Sequence, residues 1–315
     1  MLGSGGFGDV VLVSERATGN RFALKLIKKE LLQNLQNNFN NVRVERDILT
    51  GKSHRFLGSA LRCFQSPSEL CVVMDFYAGG SLSYHLKVKK KAMESPTSST
   101  PLTPRRRGTV FPVSHVAFYA AETILALQHI HRFGTSATCL EVSFVDSFFA
   151  CRLGYIHRDI KPANLMLDEE GHIRLIDFGI SKAMNQNVHG CADFECRKAK
   201  TILGSAEYIA PEVAGASGRN RYGKSCDYWS LGITIFELLS GYVLPLIVPF
   251  SISVRDSHLL WPSCRFTPFR YDPNEARGFE VLMRRIQAEP IRCPSYFPES
   301  ASNLLNALLS HNRDR

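Results

Sequence analysis

The sequence of 315 residues contains no C-x-x-C pair and no long apolar run. Its nine cysteines are an odd number scattered along the chain, which favours a reduced intracellular protein over a disulfide framework. No apolar stretch approaches the roughly 20 residues that a membrane-spanning helix needs. Met1 is followed almost at once by a glycine-rich stretch instead of a signal peptide. These absences predict a cytoplasmic or nuclear protein without a membrane span.

Acidic residues are scarce in one segment of an otherwise balanced chain. The net charge is +9, and 44% of the residues are hydrophobic, as in ordinary globular proteins. Residues 87–108 contain seven Lys or Arg residues and a single Glu, so this segment holds six of the nine net charges. Because the remainder is close to neutral, we do not expect a basic face or a nucleic-acid partner.

The stretch from Tyr155 to Gly179 holds groups that phosphoryl transfer from ATP requires. Asp159 can accept a proton from a hydroxyl group. Asn164 and Asp177 offer oxygen ligands of the kind that Mg²⁺ prefers. Lys161 follows Asp159 by two residues and provides a point charge that can steady a phosphate in transfer. The four residues together predict a catalytic loop followed by a metal-binding aspartate.

This stretch matches H-R-D-x-K-x-x-N followed by D-F-G, and the chain therefore resembles the eukaryotic protein kinases. The resemblance implies an α+β, bilobal fold with a small antiparallel-sheet lobe at residues 1–77 and a mostly helical lobe at residues 78–315. It implies ATP and Mg²⁺ as cofactors, and transfer of the γ-phosphate to protein substrates. Lys161 favours serine or threonine as the acceptor, since tyrosine kinases usually differ at this part of the loop.

The resemblance also implies an ATP site. The G-x-G-x-x-G of residues 3–8 precedes V-V-L-V, which is typical of a strand, so we expect a hairpin over the phosphates and not a dinucleotide fingerprint. F-A-L-K matches the V-A-I-K strand, with Lys25 on the phosphates. Glu45 is the expected ion-pair partner of Lys25, and Asp47 is the competitor. The implied ATP-binding residues are Leu2, Gly3, Gly5, Gly8, Val10, Ala23, Lys25, Glu45, Met74, Asp75, Tyr77 and Met166.

Apolar periodicity predicts the elements around this site. L-C-V-V-M-D-F at 70–76 reads as a buried strand, with Met74 at the back of the adenine pocket and 75–77 as the hinge. Val10, Ala23 and Met166 would form the apolar walls of that pocket. The spacing of apolar residues predicts helices at 41–49 and 116–130. The segment 227–239 is apolar on nearly all sides, which predicts a buried helix, and a last helix is expected at 301–309.

Two further motifs resemble the AGC group of Ser/Thr kinases, near its NDR/LATS branch. They are A-G-G-S-L at 78–82 and K-T-I-L-G-S-A-E-Y-I-A-P-E at 200–212. Thr201 is the candidate phosphosite for an upstream activating kinase, and its phosphate would pair with Arg158. Ser81 and Ala163 stand where many relatives have acidic residues that read arginines in substrates, so we do not expect strict arginine-directed specificity.

Three residues are expected to have structural roles in the family fold. Glu212 of A-P-E would pair with Arg315, and Asp227 would hold the backbone of the catalytic loop. The family pattern has further segments that this sequence does not show. We therefore expect a clipped first strand and no C-terminal tail.

Three segments depart from the family pattern. Residues 87–110 lose all periodicity and are interpreted as a mobile insert. Residues 135–154 and 243–266 interrupt the kinase pattern, and joining Gly134 to Tyr155 or Tyr242 to Thr267 restores family-like sequence. Retained introns and genuine loops both remain open for these two insertions.

Two alternative functions remain at this point. A non-catalytic pseudokinase, a scaffold or a mis-spliced kinase fragment would follow if the insertions displaced the catalytic loop. A binder of anionic surfaces would act through residues 87–108, and its binding would disappear when only that segment is deleted. The sequence does not indicate the oligomeric state.

Overall fold

The structure, a computed structural model, describes most of the chain. The described residues are 1–5, 8–30, 44–50, 54–94, 109–132, 154–183, 205–214, 222–241 and 278–311. The predicted phosphosite Thr201, the predicted structural Arg315 and the insertion 243–266 lie outside them, as do residues 135–153 of the other insertion.

A five-stranded antiparallel sheet forms from the N-terminal part of the chain. Its strands are β1 (Gly3–Gly5), β2 (Gly8–Ser14), β3 (Arg21–Lys28), β4 (Ala60–Gln65) and β5 (Glu69–Asp75). Their order in the sheet is β1-β2-β3-β5-β4, and all neighbours are antiparallel. The strands predicted at 10–13, 22–25 and 70–76 are confirmed, the last of them ending one residue earlier than predicted.

The alternation of side chains along β3 places a lysine in the core of this region. Ala23, Lys25 and Ile27 are buried, while the residues between them are only half-buried. Side chains two residues apart point to the same face of a strand. Lys25 therefore shares its face with two apolar core residues, although it carries a charge.

Two smaller sheets hold the segment from Tyr155 onwards. Strands β6 (Gly80–Ser81), β8 (Leu165–Leu167) and β9 (Ile173–Leu175) form one sheet in the order β6-β8-β9. Strands β7 (Tyr155–Ile156) and β10 (Lys182–Ala183) form the other. A 3₁₀ turn, Pro162–Asn164, lies between β7 and β8.

The described helices include those predicted at 116–130, 227–239 and 301–309. They are α1 (Leu82–Glu94), α2 (Val113–Arg132), α3 (Pro211–Ala214), α4 (Ser225–Ser240), α5 (Gly278–Ala288) and α6 (Glu299–Leu308). Residues 44–49 are also helical, and we call this stretch the Glu45 helix. Within the described part of the chain, no helix is long and apolar enough to cross a bilayer.

Helix α4 is the buried centre of the helical region. Trp229 and Phe236 are 1% and 0% exposed, and nearly every other residue of the helix is buried too. A helix that is apolar all round is expected in the interior of a protein. Leu305 of α6 is fully buried, and α6 packs directly on α4.

The interpretation of residues 87–110 as an unstructured insert is wrong at both ends. Residues 87–94 continue α1, and the backbone N–H of Val110 donates to the carbonyl oxygen of Leu239 at 2.8 Å. Lys89 lies over the ring of Phe111, with Nζ 5.0 Å from the ring centroid. The lysine-rich composition suggested a solvated segment, but lysine stems can cover apolar surface while the charge stays near water. Residues 95–108 are outside the described residues.

The chain divides into two compact units. The first comprises residues 1–82, 121–159 and 163–195, and the second comprises 83–120, 160–162 and 196–315. All three sheets belong to the first unit, and helices α3 to α6 belong to the second. This segregation of sheet and helix is that of an α+β protein. The predicted division between residues 77 and 78 stays a prediction, because the units combine separate stretches of the chain.

Candidate active site

Three charged side chains meet at the buried end of Lys25. Its Nζ lies 2.6 Å from Oε1 of Glu45 and 3.3 Å from Oδ1 of Asp177. The predicted ion pair between Lys25 and Glu45 is therefore present. Asp47, the competitor, instead pairs with its neighbour Arg46 at 2.7 Å. The three residues of the cluster are far apart in the sequence, so β3, the Glu45 helix and the D-F-G segment all contribute to it.

The electrostatics of this cluster keep Lys25 charged. Burial alone would lower the pKa of Lys25, but the carboxylates of Glu45 and Asp177 outweigh that effect and raise the pKa above its ordinary value. Burial raises the pKa of Glu45, and the charge of Lys25 opposes the rise. A lysine so held is a fixed positive charge at any physiological pH. It can bind phosphate oxygens without first taking up a proton.

Apolar contacts fix the position of the Glu45 helix. Ile48 and Leu49 are 4% and 5% exposed, and Glu45 itself is 3% exposed. Leu57, in the loop after this helix, is buried and forms a β-bridge with Leu175 of β9. The helix therefore directs its one glutamate inwards beside two core residues.

A buried histidine supports the predicted catalytic loop. His157 is 0% exposed, and its ring packs edge-on against Phe178 at a centroid distance of 5.0 Å. Its Nε2 is 3.2 Å from the carbonyl oxygen of Ile176, and its Nδ1 accepts the backbone N–H of Asp159 at 3.2 Å. Since Nδ1 accepts, Nε2 carries the proton in neutral histidine. His157 thus connects the backbone of Asp159 to the D-F-G segment.

Asp159 and Asn164 form the second polar centre of the first unit. The Nδ2 group of Asn164 donates to the backbone oxygen of Asp159 at 2.8 Å and to its Oδ2 at 2.9 Å. With both amide hydrogens used, the Asn164 side chain has its carbonyl oxygen left as an acceptor. That oxygen and the Asp177 carboxylate are hard donors that fit Mg²⁺. Mg²⁺ typically takes only one or two protein ligands beside phosphate oxygens.

Backbone strain is concentrated in this segment. Among the described residues, the non-glycine residues with positive φ are Arg158 (φ 70°) and Asp177 (φ 64°). Such a conformation costs an L-residue about 1–2 kcal/mol and is found mainly where function requires it. The Nε of Arg158 donates to the carbonyl oxygen of Ile180 at 2.6 Å, which helps to hold the first of these residues in place.

The glycine-rich hairpin is formed by β1 and β2. Gly3 pairs with Val10, Gly5 pairs with Gly8, and the backbone N–H of Leu2 donates to the Val10 carbonyl at 2.8 Å. At Gly8, with φ of 138°, a Cβ would lie 1.8 Å from the carbonyl oxygen of Leu26, so only glycine fits. The hairpin prediction over the dinucleotide fingerprint is therefore confirmed.

The strand register brings several predicted adenine-site residues together. Val10 lies opposite Lys25 in the β2–β3 pair, and Ala23 lies opposite Met74 in the β3–β5 pair. Directly opposed residues in antiparallel strands share a face of the sheet. Met166 lies in β8, in the smaller sheet of the same unit.

Three of the predicted residues that the structure describes lie in the second unit, namely Lys161, Glu212 and Asp227. The Nζ of Lys161 donates to Oγ of Ser205 at 2.9 Å. Glu212 is 5% exposed and accepts a hydrogen bond from Oγ of Ser225 at 3.0 Å. Asp227, in the first turn of α4, is 0% exposed. The expected roles of Glu212 and Asp227 stay predictions.

Sequence reasoning missed the side chains that surround the predicted hinge. The Oγ of Ser59 donates to Oδ2 of Asp75 at 2.6 Å, and the guanidinium of Arg174 lies over the ring of Tyr77. Neither pair has a motif or a fixed spacing that could have predicted it, because its partners lie in different elements of the first unit.

Comparison with known proteins agrees with these observations. The family model described as "Protein kinase domain" matches residues 1–315. The serine/threonine-protein kinase MRCK gamma of Mus musculus is 33% identical over 271 residues, which is 84% of this chain and 14% of that protein. The RAC-beta serine/threonine-protein kinase of Rattus norvegicus is 31% identical over 309 residues, 98% of this chain and 48% of that protein.

A third relative is the serine/threonine-protein kinase tricornered of Drosophila melanogaster. It is 31% identical over 277 residues, which is 77% of this chain and 50% of that protein. The three relatives are AGC-type kinases, and tricornered is of the NDR-like kind. The chain thus spans half or less of the length of these curated relatives.

Proposed function

This chain belongs to the protein kinase family, and we propose that it transfers the γ-phosphoryl group of ATP to serine or threonine residues of protein substrates. The observation that carries this proposal is the cluster of Lys25, Glu45 and Asp177, in which one lysine contacts both carboxylates. A buried charge cluster of this kind contributes little net stability, because desolvation of the ions offsets their attraction. Binding of phosphate and metal would account for its presence, and every catalytic residue of the family motif is present.

The nucleotide would be held through its phosphates and its base. Lys25 would contact the α- and β-phosphates, and the backbone N–H groups of the β1–β2 hairpin would cover them. The backbone of residues 75–77 would hydrogen-bond the adenine. Apolar walls would come from residues in three strands, namely Val10, Ala23, Met74 and Met166.

Asp159 would orient the acceptor hydroxyl and take its proton. The hydroxyl oxygen forms a bond to the γ-phosphorus, the bond from that phosphorus to the β–γ bridging oxygen breaks, and ADP leaves with the electron pair. The backbone of Asp159 is fixed by His157, and its carboxylate by Asn164. Catalysis then consists mainly of positioning and electrostatic stabilisation. Lys161 would steady the transferring group.

Asn164 and Asp177 would hold Mg²⁺. When bound, Mg²⁺ supplies neutralisation of the charge on the β- and γ-phosphate oxygens. The two residues contribute an amide oxygen and a carboxylate. The backbone bond from Ile176 N–H to the Asn164 carbonyl, 3.0 Å long, ties the D-F-G segment to the Asn164 turn and keeps the two ligand-bearing segments in register.

Regulation and location complete the proposal. An upstream kinase would phosphorylate Thr201, and the phosphate would pair with Arg158. The substrates would be proteins in the cytoplasm or the nucleus. The family membership, the AGC-type relatives and the motif K-T-I-L-G-S-A-E-Y-I-A-P-E support this regulation.

The test is transfer of labelled phosphate from ATP–Mg²⁺ to a basic acceptor protein. We expect Asp177→Asn to lower kcat by about 1000-fold or more, since it removes a charge that positions Mg²⁺ and the phosphates. The matched control is Asp47→Asn, which neutralises another carboxylate of the Glu45 helix, one that pairs with Arg46. Asp47→Asn should retain activity, and equal loss in both variants would contradict the assignment.

If the wild-type chain shows no phosphate transfer, a second experiment follows. Residues 135–154 and 243–266 would then be removed, separately and together. The backbone of Gly154 lies against His131, since a Cβ on Gly154 would approach the His131 oxygen to 2.3 Å. His131, a few residues before the first insertion, and Gly154, its last residue, therefore lie close together. Restored activity would identify the insertions as the obstacle, and continued silence would contradict the kinase proposal for this chain.

A further inference from the structure

The predicted hinge, residues 75–77, is attached at both ends to other parts of the first unit. At its start, Oδ2 of Asp75 accepts the hydroxyl of Ser59 at 2.6 Å. At its end, the ring of Tyr77 faces the guanidinium of Arg174, with Cζ 5.9 Å from the ring centroid. Arginine at this distance from an aromatic face is held by cation–π attraction.

Arg174 is itself held in place. Its Nε donates to Oδ2 of Asp168 at 3.1 Å, and its side chain is only 28% exposed. Asp168 also accepts the backbone N–H groups of Glu170 and His172 through Oδ1. Although burial acts in the opposite direction, these donors and Arg174 keep the pKa of Asp168 below its ordinary value. Asp168 is therefore a stable anion that fixes the guanidinium over Tyr77.

The phenol of Tyr77 lies where these contacts meet. Burial raises the pKa of Tyr77 to about 12, Asp75 adds to the rise, and Arg174 and the backbone of Ser59 act against it. The groups that influence this hydroxyl are thus the same ones that hold the two ends of the hinge. The ring connects the hinge to β8–β9 and to the loop before β4.

The backbone after the hinge is also packed closely on β8. A Cβ on Gly79 would lie 2.6 Å from the carbonyl oxygen of Leu167. The backbone at Gly79 is therefore too close to β8 for a residue with a side chain. Ser81 is opposite Met166, and Met166 is opposite Arg174. Opposed residues share a face of the sheet, which places Arg174 beside Met166, one of the predicted apolar walls of the adenine pocket.

We propose that Arg174 is a positioning residue for the adenine of ATP. Its guanidinium, held by Asp168, lies over the ring of Tyr77 and so holds the hinge backbone in the conformation that hydrogen-bonds the base. The inference rests on the proposed kinase function and extends it to a residue outside the family motifs quoted above. Arg174 acts through Tyr77 and not through the predicted phosphate-binding residues.

This role concerns recognition of the base and not recognition of the phosphates of the nucleotide. Holding a binding segment in its bound conformation improves affinity because less ordering remains to be done on binding. Loss of Arg174 should therefore weaken recognition of adenine, which depends on the hinge. It should leave the phosphate contacts of Lys25 and the glycine-rich hairpin unchanged.

The experiment compares Arg174→Gln with the wild-type full chain. We expect the KM for ATP to rise about fivefold, the size of effect that loss of one partly buried cation–π contact produces, with kcat within about twofold of wild type. Inorganic tripolyphosphate, which has no base, should inhibit both proteins with the same constant. Arg174→Lys should fall between the two, because a lysine keeps the charge but not the planar guanidinium.

Arg55→Gln is the matched control. Arg55 contacts the same β8–β9 turn, through Nε2 of His172 at 2.9 Å, and also lies over an aromatic ring, that of Phe56. Neither His172 nor Phe56 belongs to the hinge, so the KM for ATP should not change. A general loosening of the turn would instead affect both variants and would alter kcat and the melting temperature together.

The outcomes distinguish the two proposals. If the wild type is active and Arg174→Gln has an unchanged KM for ATP, the positioning role is overturned while the kinase function stands. If tripolyphosphate inhibition weakens as much as ATP binding, the effect is not on adenine and the role is again overturned. A wild type that binds no ATP overturns both. If Arg174→Gln does not fold, Tyr77→Leu removes the other partner of the contact and should raise the KM in the same way.

Discussion

Glu45 in the first unit and Glu237 in the second are both helical glutamates largely shielded from solvent, but they have different partners. Glu45 pairs with the cation of Lys25 at 2.6 Å, whereas Glu237 accepts the phenol hydroxyl of Tyr208. Burial raises the pKa of both carboxyls. The difference is that one site contains a full opposite charge and the other contains mainly neutral donors.

This difference separates a functional centre from a structural one. A buried ion pair contributes little net stability, because desolvation of both ions offsets their attraction. A single carboxyl with a hydrogen-bond donor can be satisfied in its neutral form as well. The proposed ligand binding would explain the arrangement at Lys25, whereas that at Glu237 fits packing between the 3₁₀ turn Ala206–Tyr208 and α4.

The largest expected effect comes from breaking the ion pair. Lys25→Met should reduce phosphate transfer by about 10²- to 10³-fold, because a fixed charge on the phosphates is lost. It should also lower the free energy of unfolding by about 3 kcal/mol, since Glu45 is left as an unpaired buried carboxylate. Chemical denaturation and the labelled-phosphate assay measure the two effects.

The double variant Lys25→Met/Glu45→Leu separates stability from activity. With both charges removed, the stability should return to about the wild-type value, while phosphate transfer stays lost. If the double variant is as unstable as Lys25→Met alone, the pair is a stabilising element and the comparison with Glu237 fails.

Local motifs indicated the candidate catalytic side chains because their spacing is fixed along the chain. Asp159, Asn164 and Asp177 follow one another within the loop–strand–strand segment, and the family resemblance supplied Lys25 and Glu45. The contact between Lys25 and Asp177 spans 152 positions. Its geometry depends on the register of β3 and on the burial of Ile48 and Leu49 in the Glu45 helix, which no local pattern specifies.

Contacts around the hinge could not be predicted, for the same reason. Arg174 and Tyr77 lie in elements that meet through the β6-β8-β9 sheet.

The error at residues 87–94 has another cause. A run of lysines was interpreted as a solvated segment from its charge, but Leu86 is buried and Lys89 covers Phe111, so the apolar spacing of α1 decided the structure.

A smaller effect is expected from removing the donor to Glu237. Tyr208→Phe should lower the free energy of unfolding by about 1–2 kcal/mol, because a shielded carboxyl loses its hydrogen bond and keeps its desolvation penalty. Tyr84→Phe is the control, since Tyr84 is 60% exposed and should change stability by less than about 0.5 kcal/mol. Equal small changes in both variants would show that Glu237 does not depend on Tyr208.

The smallest effect, and the sharpest test of the comparison, is the pH dependence of Glu237→Gln. Burial raises the pKa of Glu237 above its ordinary value of 4.5, Glu207 adds to the rise, and Tyr208 and Lys90 act against it. A raised pKa means that the folded protein binds this proton more tightly than the unfolded chain does.

Stability linked to Glu237 is then present below pH 4.5 and is lost as the pH rises through the folded-state pKa. Glutamine stays neutral and can still accept the Tyr208 hydroxyl, so the variant should match wild type near pH 4 and be more stable than wild type near pH 7. The measured quantity is the variant-minus-wild-type free energy of unfolding across that range, with the exposed Glu299→Gln as the control for general charge effects. A difference that is flat, or that favours wild type at neutral pH, would mean that Glu237 is a stabilised anion like the partner of a buried cation, and the distinction between the two glutamates would be lost.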